Sequence, residues 1–145
     1  TPAAGFAGPM GSIVLGLVAG VACFFFVAYA KNALKLDDTL DVFGIHCLGG
    51  IIGAIATGIL VDPALGGAGV PDYLSVPGTL QVAAYDMGFM VTAQIKAVLF
   101  TLVFSGVGSA ILFYIVKALF GLRVKEEVER EGLDVAEHGE RAYNY

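Results

Sequence analysis

The run VFGIHCLGGIIGAIATGILV, residues 42–61, has no Asp, Glu, Lys or Arg and a single imidazole, His46. At 1.5 Å per residue, about twenty helical residues cross a hydrocarbon layer of roughly 30 Å, so this run is expected to be a membrane helix. An imidazole inside hydrocarbon costs free energy, and an ionisable group kept there by default marks a transport path or a proton relay. Three aspartates, Asp37, Asp38 and Asp41, stand directly before the run. A carboxylate there accepts hydrogen bonds from the free N–H groups of a helix start and suits the positive end of its dipole, so Asp38 and Asp41 are expected to act as structural caps.

Outward from this run the same pattern recurs. Residues 1–30 and 97–116 are also free of charge, and the chain as a whole is 57% hydrophobic and 14% charged, with a mean hydropathy of +0.81. A soluble domain carries roughly a quarter charged residues, so the expectation is an all-α membrane protein with three spans, about 11–30, 42–61 and 88–120. The third pattern is too long for a hydrocarbon core and must tilt or project. The opening run lacks the basic start and short apolar core of a signal peptide. It starts at Thr1 rather than at a methionine, which leads to the expectation of an upstream continuation. Cys23 and Cys47 lie in apolar spans and read as small hydrophobes. No basic stripe suggests nucleic acid. No nucleophile, base and orienting group occur together and the two histidines lack metal spacing, so no enzyme, cofactor or metal site is expected.

With three spans, residues 31–41 and everything after 116 share one side. Lys31, Lys35, Lys117, Arg123 and Lys125 flank that side against Lys96 on the other, which by the positive-inside rule makes it, and the C terminus, cytoplasmic. At 100° per residue Val42, His46, Gly49, Gly50 and Gly53 fall on one face, a narrow strip with little bulk beyond the ring. Such a strip lines a narrow channel or admits a close neighbour. Gly16 with Gly20, and Ser105, Gly106, Ser109 and Ala110, read as helix-contact surfaces. The segment 62–87, with Pro63, Gly66, Gly67, Gly69, Pro71, Pro77 and Gly78, reads as a loop. After Gly121 the chain turns polar and net acidic, with an i,i+4 pair at Glu126 and Arg130. Residues 1–122 thus form a membrane region and 123–145 a tail that includes Tyr143 and Tyr145.

The run Asp37-Asp38-Thr39-Leu40-Asp41-Val42-Phe43-Gly44-Ile45-His46-Cys47-Leu48-Gly49-Gly50 resembles the aspartate–histidine signature of the ammonium transporter family, the Amt/Mep/Rh group. The tail pieces Gly121-Leu122-Arg123-Val124, Glu129-Arg130-Glu131-Gly132-Leu133-Asp134 and His138-Gly139-Glu140-Arg141-Ala142-Tyr143 are similar to the C-terminal tail of the bacterial members, and Thr1-Pro2-Ala3-Ala4-Gly5 to the segment before the family's ninth helix.

The resemblance implies a homotrimer of eleven-helix protomers in the inner (plasma) membrane, each with its own narrow pore. This chain then corresponds to helices nine to eleven plus the tail. Members take up ammonium at an outer vestibule, remove a proton and pass ammonia along two facing histidines. His46 corresponds to the second of these, with Val42 lining the pore beside it. The first histidine, the outer recruitment site and the phenylalanine gate belong to helices not in this sequence, so conduction requires them. Cys47 departs from the small residue common at its position. The tail, with Arg123, Gly132, Asp134, His138 and Gly139, corresponds to the part through which a PII signal-transduction protein regulates nitrogen uptake. The alternatives are an ammonium sensor and a membrane packing subunit that transports nothing.

Overall fold

The computed structural model describes residues 1–72 and 81–141, so Pro77, Gly78, Tyr143 and Tyr145 lie outside the described residues. Three long helices dominate: α1, Pro9–Ala33, α2, Phe43–Leu60, and α3, Met87–Leu119. All three are long and apolar enough to cross a membrane. Helix is the natural answer to such sequences, because in lipid every backbone N–H and C=O must find its partner within the segment. The protein is therefore an all-α membrane protein. The 33 residues of α3 make it about 50 Å long, beyond the roughly 30 Å of hydrocarbon. Two short helices follow, α4, Glu126–Glu131, and α5, Leu133–Ala136.

The chain divides into two units, Thr1–Thr101 and Leu102–Tyr145. In the first, α1 and α2 pack in opposite directions along their whole length. A Cβ on Gly11 would lie 3.0 Å from Leu60 Cδ2, one on Gly49 3.4 Å from Cys23 Sγ, and one on Gly44 2.8 Å from Phe26 Cδ1 and 2.9 Å from Val27 Cγ2. The rings of Phe26 and Phe43 meet with centroids 5.7 Å apart. Glycines set the approach at each level, as expected where helices associate by close packing rather than by exclusion from water. Both helices carry a π-helical stretch where they meet, Phe26–Ala30 in α1 and Phe43–Leu48 in α2. In α1 the Lys31 N–H donates to Phe26 O, five residues back.

The far end of α2 is tied down by the segment that follows it. Asp62 accepts from the Ala64 N–H at 2.8 Å and opens a short 3-10 turn, Pro63–Leu65. Gly67 N donates to Asp62 O, Gly69 N to Val61 O and Ala68 N to Phe6 O, each at 2.9 Å. Gly67 lies flat against the backbone of Leu60 and Val61, so that any side chain there would strike a carbonyl. Val61 beneath this knot is 2% exposed, and with Ala3 it makes up the buried apolar side chains among the described residues. The expected plain loop also holds a small antiparallel ladder, β1, Val70–Asp72, with β2, Gln81–Ala83, in the register Val70↔Ala83. A proline within a three-residue strand hides this from a pattern search.

α3 starts beside this knot. The Asp86 carboxylate accepts from the Phe89 N–H at 2.7 Å, an N-terminal cap. Gly58 of α2 lets the start of α3 approach so closely that a Cβ would sit 3.0 Å from Val91 Cα. The Tyr85 hydroxyl donates to Gly58 O at 2.8 Å and lies 3.2 Å from Ile59 O. Thr57, also buried, returns its hydroxyl to Gly53 O at 2.8 Å. By contrast Gly16, Gly20 and Gly106 face open space within this chain.

Burial first, then the carboxylates of Asp62 and Asp86, raise the Tyr85 phenol above its usual 10.0. A raised folded-state pKa means that the folded protein holds this proton more tightly than the unfolded chain. Its stabilisation is complete below pH 10 and fades as pH climbs through the folded value. Tyr85→Phe should therefore lower the thermal midpoint of the detergent-solubilised protein at neutral pH. Its deficit relative to wild type should shrink in melts recorded above pH 10.

Candidate functional site

The site grows from the turn between α1 and α2. α1 ends with Leu34 N donating to Ala30 O, after which Lys35 takes a left-handed conformation, φ 53°, and reverses the chain. Asp41 is left-handed too, φ 57°, and α2 begins directly beyond it. Non-glycine residues rarely adopt this conformation, although aspartate tolerates it better than most.

The Asp38 carboxylate straddles the helix start. Its Oδ1 accepts from Val42 N at 2.9 Å and its Oδ2 from Phe43 N at 2.8 Å. Asp41 does something other than the capping expected of it. Its carboxylate is turned to the Lys31 ammonium, while its carbonyl accepts from Ile45 N at 2.9 Å. The reason is the left-handed backbone at Asp41, which carries its side chain away from the first N–H groups of α2 and toward the end of α1. Lys31 also donates to Asp38 O at 3.2 Å, so one ammonium engages both aspartates. The two charged side chains are partly buried, 18% exposed for Lys31 and 30% for Asp41.

His46 follows in the π-helical stretch and is exposed, while Gly44 two residues earlier is buried against α1. Val42 at the helix start is also exposed. The common strip of His46 with Gly49, Gly50 and Gly53 does not hold. Gly49 turns toward Cys23 and Gly53 toward Pro2, whose Cδ would lie 2.8 Å from a Cβ, and Gly50 alone of these glycines meets open space. The uniform 100° step fails because the π-helical stretch winds more slowly than an α-helix. Cys47 and Cys23 are both free thiols, partly exposed.

The second unit holds the remaining expected residues. Gly121, φ 84°, closes α3 by donating to Lys117 O at 3.2 Å, a left-handed C-cap. Arg123 Nη2 reaches Glu129 Oε1 at 3.0 Å, and Arg130 Nη2 reaches Glu126 Oε1 at 2.6 Å on α4. Gly132, φ 106°, separates α4 from α5, and Gly139, φ 66°, follows α5. Both occupy backbone conformations that a side chain would strain. Asp134 and His138 are exposed, and the Asp134 carbonyl accepts from Glu140 N at 2.8 Å. Sequence reasoning missed Lys31 as a partner of the aspartates and Tyr85 as the tie between α2 and α3. Lys31 stands ten residues before Asp41 across a turn, a spacing with no pattern to reveal the contact.

Three helices each long and apolar enough to cross a membrane, with an exposed imidazole near the start of the second, place the chain in the class of polytopic membrane proteins. The ammonium transporter family model matches residues 1–143. The chain is 44% identical over 144 residues to an ammonium transporter of Aquifex aeolicus, covering 99% of this chain and 31% of that protein. It is 37% identical over 143 residues to an ammonium transporter of Bacillus subtilis, covering 99% of this chain and 33% of the relative. Identity to ammonium transporter 1 of Dictyostelium discoideum is 34% over 145 residues, covering 99% of this chain and 29% of that protein. The chain belongs to the ammonium transporter family. It spans about a third of the length of the curated relatives it matches.

The double acceptor at Asp38 gives a graded expectation. Asp38→Ala leaves two helix-start N–H groups without their acceptor and should destabilise the solubilised protein by about 1 kcal/mol, whereas Asp38→Asn keeps one acceptor and should cost less. Thermal unfolding of both variants checks the order. Equal losses would indicate that charge rather than hydrogen bonding holds the turn.

Proposed function

We propose that this chain forms part of an ammonium transporter in which His46 lines the substrate path, with Val42 beside it. The observation that carries the reading is the exposed imidazole of His46 on a helix whose preceding turn is pinned at Lys31, Asp38 and Asp41, inside a charge-free span. A neutral imidazole both donates and accepts hydrogen bonds. It thus receives a neutral amine where a hydrated cation would lose its water at great cost. A second imidazole and the outer recruitment groups come from other helices of the protomer, and three such protomers make the trimer. Membership of the family and the names of the relatives support ammonium as substrate and the bilayer as setting.

The distribution of Lys31, Lys35, Lys117, Arg123 and Lys125 supports an inner-membrane orientation with the turn at residues 34–42 and the C terminus in the cytoplasm. In this reading residues 1–122 are the membrane region. The tail, 123–145, presents Arg123, Asp134 and His138 from a path shaped by Gly132 and Gly139. It docks on the cytoplasmic face, where a PII signal-transduction protein reads it.

His46→Ala should abolish most ammonium-specific flux, measured in cells producing the protein from its full reading frame, while oligomer size and membrane content stay at wild-type levels. Undiminished flux and selectivity would reduce His46 to a packing residue. Removing residues 123–145 should change flux and weaken retention of PII on the purified transporter. A tail that merely solubilises would leave both unaltered.

A further inference from the structure

The two aspartates before α2 share one cation, and that cation stands on the helix α2 packs against. Lys31 belongs to the last turn of α1, which is fixed on α2 by the Phe26–Phe43 ring contact and by the fit of Phe26 and Val27 over Gly44. From there its ammonium holds the Asp38 carbonyl at 3.2 Å and the Asp41 carboxylate. Asp38 in turn holds Val42 N and Phe43 N, and the Asp41 carbonyl takes Ile45 N. These hydrogen bonds at the start of α2 thus run through two residues on which Lys31 acts.

The π-helical stretch makes this starting point consequential. A π-turn amounts to one extra residue in an α-helix, and letting it relax would shift all later side chains by about one residue, a rotation of about 100°. His46 lies within that stretch, Phe43–Leu48. The left-handed backbone of Asp41, φ 57°, is a second element that persists only while its surroundings hold it.

We infer that Lys31 is a positioning residue for His46: by clamping Asp41 and Asp38 it fixes the register of the π-helical start of α2 and so the angle at which the imidazole leaves the helix. This inference rests on the proposal that His46 lines the substrate path. Lys31 itself touches no substrate. Its effect is read in discrimination between amines, because the angle of the ring sets both the hydrogen bonding and the room offered to an amine, and methylammonium has one N–H fewer and one methyl more than ammonium.

The test compares Lys31→Met, Lys31→Arg, Asp41→Asn and His46→Ala in cells producing the protein from its full reading frame, at matched membrane content. Lys31→Met and Asp41→Asn should each lower ammonium flux about tenfold or more and shift the ratio of ammonium to methylammonium flux. Lys31→Arg, whose guanidinium also pairs with a carboxylate, should stay within about threefold of wild type with an unchanged ratio. Amide hydrogen exchange at Val42 and Phe43 should accelerate in Lys31→Met and not in Lys31→Arg. Should Lys31→Met fail to reach the membrane, Asp41→Asn decides alone, since asparagine keeps the left-handed turn and loses only the charge. A wild-type flux ratio in Asp41→Asn, together with loss of flux in His46→Ala, overturns the inference and leaves the path assignment standing. Wild-type flux in His46→Ala overturns the path assignment, and this inference with it.

Discussion

The contact on which the first unit depends is the closure of Phe26 and Val27 over Gly44. A methyl group at position 44 would stand 2.8 Å from the Phe26 ring, so only glycine allows α1 and α2 to meet at this level. In lipid there is little hydrophobic drive between helices, and close backbone approach with dense van der Waals contact has to supply the association. Two consequences follow from the same contact. It brings Lys31, five residues beyond Phe26, to the aspartates that open α2. It also commits one side of α2 to α1, so that His46, exposed, presents its ring elsewhere.

The three spans were legible because charge is so unfavourable in hydrocarbon that its absence over about twenty residues carries nearly the whole signal. The helix start at Asp38 was legible for a similar reason, an acceptor placed where N–H groups must be free. What escaped was everything that depends on winding or on contacts across a turn. The π-helical stretch Phe43–Leu48 leaves no mark in composition, and a 100° projection therefore merged Gly49 and Gly53 with the His46 face although they pack on Cys23 and Pro2. The left-handed backbone at Asp41 redirected its carboxylate from a cap to an ion pair. Tyr85 binds carbonyls of Gly58 and Ile59, partners more than twenty residues distant that no local rule connects.

An ion pair at the edge of a membrane span is a poor source of stability in itself, because the desolvation of two charges offsets most of their attraction. Lys31 and Asp41 are partly buried rather than sealed, and the ammonium keeps a further carbonyl partner. Their value is geometric. Losing one partner would leave the other charge half-desolvated beside a backbone held in an unfavourable conformation, so the turn has one arrangement that satisfies all its groups. The apolar side chains tell a complementary story. Large hydrophobics such as Leu17, Phe24, Phe100, Phe104 and Leu112 are exposed along all of α1 and α3. Such surfaces suit lipid or other membrane helices, in keeping with a chain that spans about a third of its relatives.

The second unit obeys a different balance. Its helices α4 and α5, six and four residues long, are far shorter than the dozen or more that an isolated helix needs to persist in water. The ion pairs that decorate them are open to solvent, with Arg130 79% and Glu126 76% exposed, and such pairs contribute between nothing and about 1 kcal/mol. Local interactions alone therefore leave the segment only marginally ordered. Its course is nevertheless specified at three positions, Gly121, Gly132 and Gly139, where the backbone is left-handed or otherwise reserved to glycine. A segment whose path is encoded but whose order is weak from within would gain stability from a surface on which it rested. Its conformation would then depend on that surface and on any partner competing for it, which is what the proposed docking of the tail requires.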